Sequence, residues 1–168
     1  MPYATPMDAT FFETPLREQF DTFIDQHRTI MAEILDDLTE EEARRSLVPS
    51  RTTLLGLVKH VTFVEKVWFN EAITGRSRED LGLPSAAEDS FLLEDSDTID
   101  SVRQAYVDAC TESRERSAAL DLDDALPGNR RGPLPLRWVL LHVLREVAQH
   151  CGHAEILREQ ILASRTDA

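Results

Sequence analysis

The stretch that decides the fold is Leu136-Arg137-Trp138-Val139-Leu140-Leu141-His142-Val143-Leu144-Arg145-Glu146-Val147-Ala148-Gln149-His150-Cys151-Gly152-His153-Ala154-Glu155-Ile156-Leu157-Arg158-Glu159-Gln160-Ile161-Leu162-Ala163. Its apolar positions Val139, Leu140, Val143, Val147, Ala154, Leu157 and Ile161 recur at the α-helical period, so about Leu136 to Ala163 reads as one long amphipathic helix. At 100° per residue, His150 falls about 20° from Val143, in the centre of the apolar stripe. Glu146 and His153 lie one turn to either side of it, on one flank. A carboxylate and two imidazoles therefore point inward within a sector of about 60°.

Three more helices carry the same period. The first spans about Pro15 to Leu38, with Thr14 as the expected N-cap, Pro15 at the first helical position, and Leu16, Phe20, Phe23, His27, Ile30, Ile34 and Leu38 on its stripe. Thr39-Glu40-Glu41-Glu42 then reads as a capping box opening a short connecting helix. The second long helix covers about Thr53 to Thr74, with Leu54, Leu57, Val58, Val61, Val64, Trp68 and Ala72 inward and Gly75 as its stop. The third runs from Asp97 or Thr98 to Leu120, with Ile99, Val102, Ala105, Tyr106, Ala109, Cys110 and Ser113 on one side. Asp121 to Pro135 is a loop, punctuated by Pro127-Gly128-Asn129 and Gly132-Pro133. No segment alternates with a period of two, and no internal repeat is present. These features predict an all-α protein, a four-helix bundle, with residues 1–168 forming one domain around a core of about 12–163. The connection of about twenty residues from Arg76 to Asp95 has two readings: the crossover that a bundle with non-adjacent sequential helices requires, or a cover over one end.

Charge and cysteine usage exclude several functions. The 168 residues carry a formal charge of −13. Residues 79–124 hold fourteen acids against three arginines, whereas residues 125–168 hold four acids and six arginines. Such an acidic surface repels phosphate backbones, so no nucleic-acid partner is expected; the acidic stretch itself reads as a solvated helix face. No apolar run is long enough to span a bilayer, and the first ten residues lack the basic start and apolar core of a secretory signal. The two cysteines, Cys110 and Cys151, form no Cys-x-x-Cys pair. A reducing, cytoplasmic setting is expected.

The inward histidines carry the candidate chemistry. Buried polar groups without partners cost roughly 1–3 kcal/mol each, so Glu146, His150 and His153 together need a common partner. A divalent cation is one, since imidazole nitrogen and carboxylate oxygen are its ordinary ligands. His60, at the edge of the second helix's apolar face, can complete the set. A ligand from one helix and two from another make a three-ligand site with an open position, the pattern of catalytic rather than structural zinc. The competing reading of any one of these histidines is a core residue satisfied by its neighbours. His27 has both readings as well, a core histidine bonded to a neighbouring helix or a proton acceptor facing the metal. His142, about 100° off the stripe, is expected at the surface. Cys151 reads as a small apolar filler, Trp68 and Trp138 as packing.

These residues also resemble a known family. Val48-Pro49-Ser50-Arg51-Thr52-Thr53-Leu54-Leu55-Gly56-Leu57-Val58-Lys59-His60-Val61, followed by Val64-Glu65 and Trp68-Phe69, is similar to the second-helix signature of the DinB-like superfamily. Leu136 to Leu140 and Arg145 to Glu159 resemble its last-helix signature, and His27-Arg28 fits its first helix. The resemblance covers about residues 12–162, and the nearest branch holds mycothiol-dependent transferases and mini-circle-type proteins. It implies a four-helix bundle with a long crossover, often a homodimer, binding zinc, nickel or a similar divalent metal through three residues. The matching positions are His60, Glu146 and His150. His153 falls where some relatives carry glutamine, and three roles stay open for it: fourth ligand, replacement for Glu146, or pocket residue. Relatives use a low-molecular-weight thiol as co-substrate: mycothiol, bacillithiol or glutathione.

The expected activity is therefore a metal-dependent thiol S-transferase of the detoxification type, with a small-molecule thiol and an electrophile as partners. The metal would hold the thiol as thiolate, His27 and His153 would place substrate or move a proton, and Arg145 would hold an anionic group. Two alternatives accompany it: a thiol-dependent isomerase of maleyl-type diacids, and a non-catalytic metal-binding stress-response module.

Overall fold

A computed structural model describes residues 9–165; residues 1–8 and 166–168 of the expected domain lie outside the described residues. After a 3₁₀ turn, Ala9–Glu13, the chain forms α1 (Leu16–Glu33), α2 (Glu40–Ala43), α3 (Leu54–Glu65), a π-helical stretch (Lys66–Glu71), α4 (Ala72–Thr74), a 3₁₀ turn (Ala87–Phe91), α5 (Ile99–Ser117) and α6 (Leu136–Ala163). α1 packs against α6, and α3 against both α5 and α6. This is an all-α bundle.

The last helix has the bounds its apolar stripe predicts, and all seven stripe residues are buried. The ends of α1 differ from expectation. Thr14 does not cap it: its hydroxyl donates to the Phe11 carbonyl at 2.9 Å, and Pro15 takes the cap position in an extended conformation. α1 also stops at Glu33 rather than Leu38, because the chain turns through Asp37 with φ at 60°. Ile34 and Leu35 remain buried all the same. The capping box of α2 forms as its sequence suggests: the Glu42 amide donates to the Thr39 hydroxyl and the Thr39 amide to the Glu42 carboxylate.

The second long helix reaches from its Thr53 cap to Gly75, which closes it with φ at 73°, a conformation costly for any residue with a Cβ. Its middle is not α-helical throughout. The wider turn at Lys66–Glu71 allows every residue from Val67 to Ala72 to be buried, more than one α-helical face can hold. α5 begins at the Thr98–Ser101 capping box; Ala105, expected on its apolar side, is exposed. The loop before α6 contains a two-residue antiparallel ribbon, Ala125–Leu126 against Leu134–Pro135, too short to register as alternation.

The crossover lies along α3, with its 3₁₀ turn Ala87–Phe91 packed on that helix. Two apolar clusters fill the interior. One gathers Met31, Leu57, Val61, Tyr106, Cys151 and Ala154, the other Ile24, Phe63, Val64, Val139, Val143 and Val147. The boundary between them falls at a polar residue: Arg28 on α1, Thr62 on α3, two residues after the buried His60, and His150 on α6. The bundle thus has a polar waist between two dry ends.

Candidate metal centre

At that waist, His60, Glu146 and His150 each offer a ligand atom, and the three atoms lie within 4.8 Å of one another. α6 supplies two because residues four apart stand one above the other on a helix face. Glu146 Oε2 is 3.7 Å from His150 Nε2, and the His60 and His150 rings meet edge to face at 4.7 Å. Donors bound to one tetrahedral ion at ~2.0–2.1 Å stand roughly 3.4 Å apart, so a small contraction would seat one.

The electrostatics suit a cation. Burial pushes His60 down to about 4, with His150 adding to the effect and Glu146 opposing it. Burial lowers His150 as well. Both rings are therefore neutral at pH 7, the form that donates a lone pair. The buried Nδ1 of His150 has no hydrogen-bond partner among the described residues, and its Nε2 is beyond hydrogen-bonding distance of Glu146. Glu146 is divided between two neighbours: Arg145 donates to Oε1 at 2.7 Å, while Oε2 faces His150.

His60 is held from its other side. Its Nδ1 is 2.7 Å from Ser90 Oγ, and the Phe91 ring stacks on the imidazole at 3.9 Å and 12°. Ser90 also lines a cavity of about 810 Å³ with Lys59, Thr62, Phe63, Lys66 and Asp97.

The remaining expected residues lie elsewhere. His153 is exposed one turn beyond His150, their ring centroids 5.8 Å apart; the structure does not bring it into the trio. His27 is half-buried and donates from Nδ1 to the Phe23 carbonyl of its own helix at 2.7 Å, leaving Nε2 as an acceptor. Arg145 is largely exposed apart from its pairing with Glu146.

His142, expected at the surface, has a side chain only 12% exposed. It is sandwiched between Trp138, parallel at 5.1 Å, and Trp68, at 4.3 Å. Its Nδ1 accepts from Arg145 at 3.2 Å, and its Nε2 lies 3.8 Å from Glu146 Oε1. Burial lowers its pKa also. The sequence does carry a signal for this row: His142, Glu146 and His150 are spaced four apart.

A second charged group crosses the waist between α1 and α3. Arg28 donates to both carboxylate oxygens of Glu65, at 2.8 and 2.7 Å, and a third nitrogen donates to Asp25. The Glu65 side chain is 0% exposed. Burial alone would lower the arginine's pKa, but the facing Glu65 holds it above its ordinary value.

The all-helical fold is that of the DinB-like class. Within it, the chain belongs to the mycothiol S-transferase family, whose model matches residues 19–163. No curated protein matches the chain. No helix among the described residues is long and apolar enough to cross a membrane.

Proposed function

We propose that this protein is a metal-dependent S-transferase of the detoxification type, joining mycothiol to an electrophile. The observation that carries the reading is the convergence of His60, Glu146 and His150 with two neutral imidazoles among them. These three would hold the ion, zinc or nickel by their nitrogen and oxygen donors. When bound, the ion would supply positive charge that lowers the pKa of the co-substrate's thiol, so that it would react as thiolate.

The rest follows from the chain's own residues. Arg145 fixes one oxygen of Glu146 and leaves the other turned inward. Neither cysteine serves as nucleophile, because burial pushes both thiols up to about 12. The reacting sulfur is therefore the co-substrate's: a carbon–sulfur bond forms, the electrophile's leaving group departs, and the thiol proton goes to a base. His27, with Nε2 free as an acceptor, is our assignment for that base, and exposed His153 for guiding substrate in.

The test is conjugation of mycothiol to a fluorogenic electrophile before and after chelation. Turnover should vanish on metal removal while the helical circular dichroism persists, and return with zinc or nickel. Full turnover by metal-free protein would sink the reading.

A further inference from the structure

Ser90 sits in the crossover, thirty residues from His60, and no signature in the sequence draws attention to it. It is 3% exposed, and the imidazole beside it is 6% exposed. Its hydroxyl has a single proton, and that proton is committed: Ser90 Oγ donates to the Ala87 carbonyl at 2.6 Å. Towards His60, 2.7 Å away, the same oxygen can then only accept. His60 must carry its proton on Nδ1, which leaves Nε2 bare.

Two further contacts build this arrangement. Phe91, the next residue, lies flat against the imidazole and fixes the ring plane. Gly56, one turn before His60, lets the crossover backbone come this close: a methyl group there would stand 2.6 Å from the Phe91 carbonyl oxygen and 3.0 Å from Thr53 Oγ1. The turn Ala87–Phe91 is thereby docked against α3 by a missing side chain, a hydrogen bond and a ring stack.

We propose that Ser90 is the positioning residue of the metal centre: through the chain His60 Nδ1–H to Ser90 Oγ–H to Ala87 carbonyl it fixes the histidine's tautomer and aims Nε2 at Glu146 and His150. This rests on the metal-site reading above for its purpose, but not for its geometry. Partners behind a ligating histidine characteristically change metal affinity by about 10–100-fold when removed, because they set ring orientation and basicity.

The experiment has two arms. Long-range proton–nitrogen NMR on metal-free protein reads the His60 tautomer directly; the Nδ1–H form is expected in the wild type and a mixture in Ser90→Ala. Zinc affinity, measured by competition with a chromophoric chelator, should fall about 10- to 100-fold in Ser90→Ala and recover in Ser90→Thr, which keeps the hydroxyl. Gly56→Ala, which pushes the turn away without touching the hydroxyl, should weaken zinc in the same direction. A wild type with the Nε2–H tautomer overturns the proposal, and so does Ser90→Ala with wild-type tautomer and zinc affinity. If Ser90→Ala does not fold, the wild-type tautomer and Gly56→Ala decide. A wild type that shows the Nδ1–H form yet binds no zinc refutes the metal-site reading and leaves the Ser90 chain standing.

Discussion

Two polar groups cross the waist of the bundle, and they are built to opposite rules. Arg28 and Glu65 satisfy one another: both carboxylate oxygens are used, and Asp25 takes a further guanidinium nitrogen. His60, Glu146 and His150 converge without completing each other's bonds, leaving a buried ring nitrogen with no hydrogen-bond partner among the described residues. His60 and Glu65 are only five residues apart on one helix. Burial and charge are common to both groups, so what separates them is bond satisfaction. A closed pair marks structure; an incomplete cluster marks a place for something else.

The sharpest way to test this contrast is to open the closed pair. Arg28→Met leaves a carboxylate buried with no partner and should cost about 3–5 kcal/mol in urea unfolding, while Arg28→Met combined with Glu65→Leu should recover most of the loss. Next in size is the response to an ion. At a hundredfold excess over Kd, zinc should stabilise the wild type by about 2.7 kcal/mol in thermal melts. Glu146→Gln should melt like the wild type without zinc and gain nothing from it.

Acidity acts on the open cluster and on His142 beside it. Unfolded chains protonate histidine near 6.5, whereas folded His60 waits until about 4. Between those values the unfolded state binds more protons, so metal-free stability should fall as pH drops through this window. Glu146, which favours the protonated ring, tempers the loss. His60→Gln should flatten the curve there, read by urea midpoints at successive pH values. The smallest effect expected is none: Cys110→Ser and Cys151→Ala should keep mycothiol turnover, since neither thiol takes part. A dead Cys151→Ala that is still folded would put a protein nucleophile back into the mechanism.

Much of this was legible in the chain itself. The period of α6 places Glu146 and His150 inward, and that of the second long helix brings His60 to its interface. What the residues could not show was tertiary. The angle of His142 on α6 predicts exposure, but that angle carries no information about Trp68, which arrives from another helix to cover it. The π-helical turn is invisible to a 3.6-residue template, since its residues from Val67 to Glu71 are all buried. Ser90 lies in an acidic stretch with no period, where only the close approach at Gly56 gives it a role. Thr14 is not the cap because the helix starts one residue later than its sequence suggests, with Pro15 in the cap position, while the Thr14 hydroxyl donates back to the Phe11 carbonyl.

The docking of the crossover on His60 has a consequence for how the molecule reports its own state. Under the proposed metal reading, an imidazole wedged between an ion and a loop would transmit in both directions: whatever steadies the loop would strengthen the grip on the ion, and the ion would steady the loop by the same factor. Limited proteolysis around residues 76–95 would then serve as a gauge of loading, slow cleavage marking charged molecules and fast cleavage stripped ones.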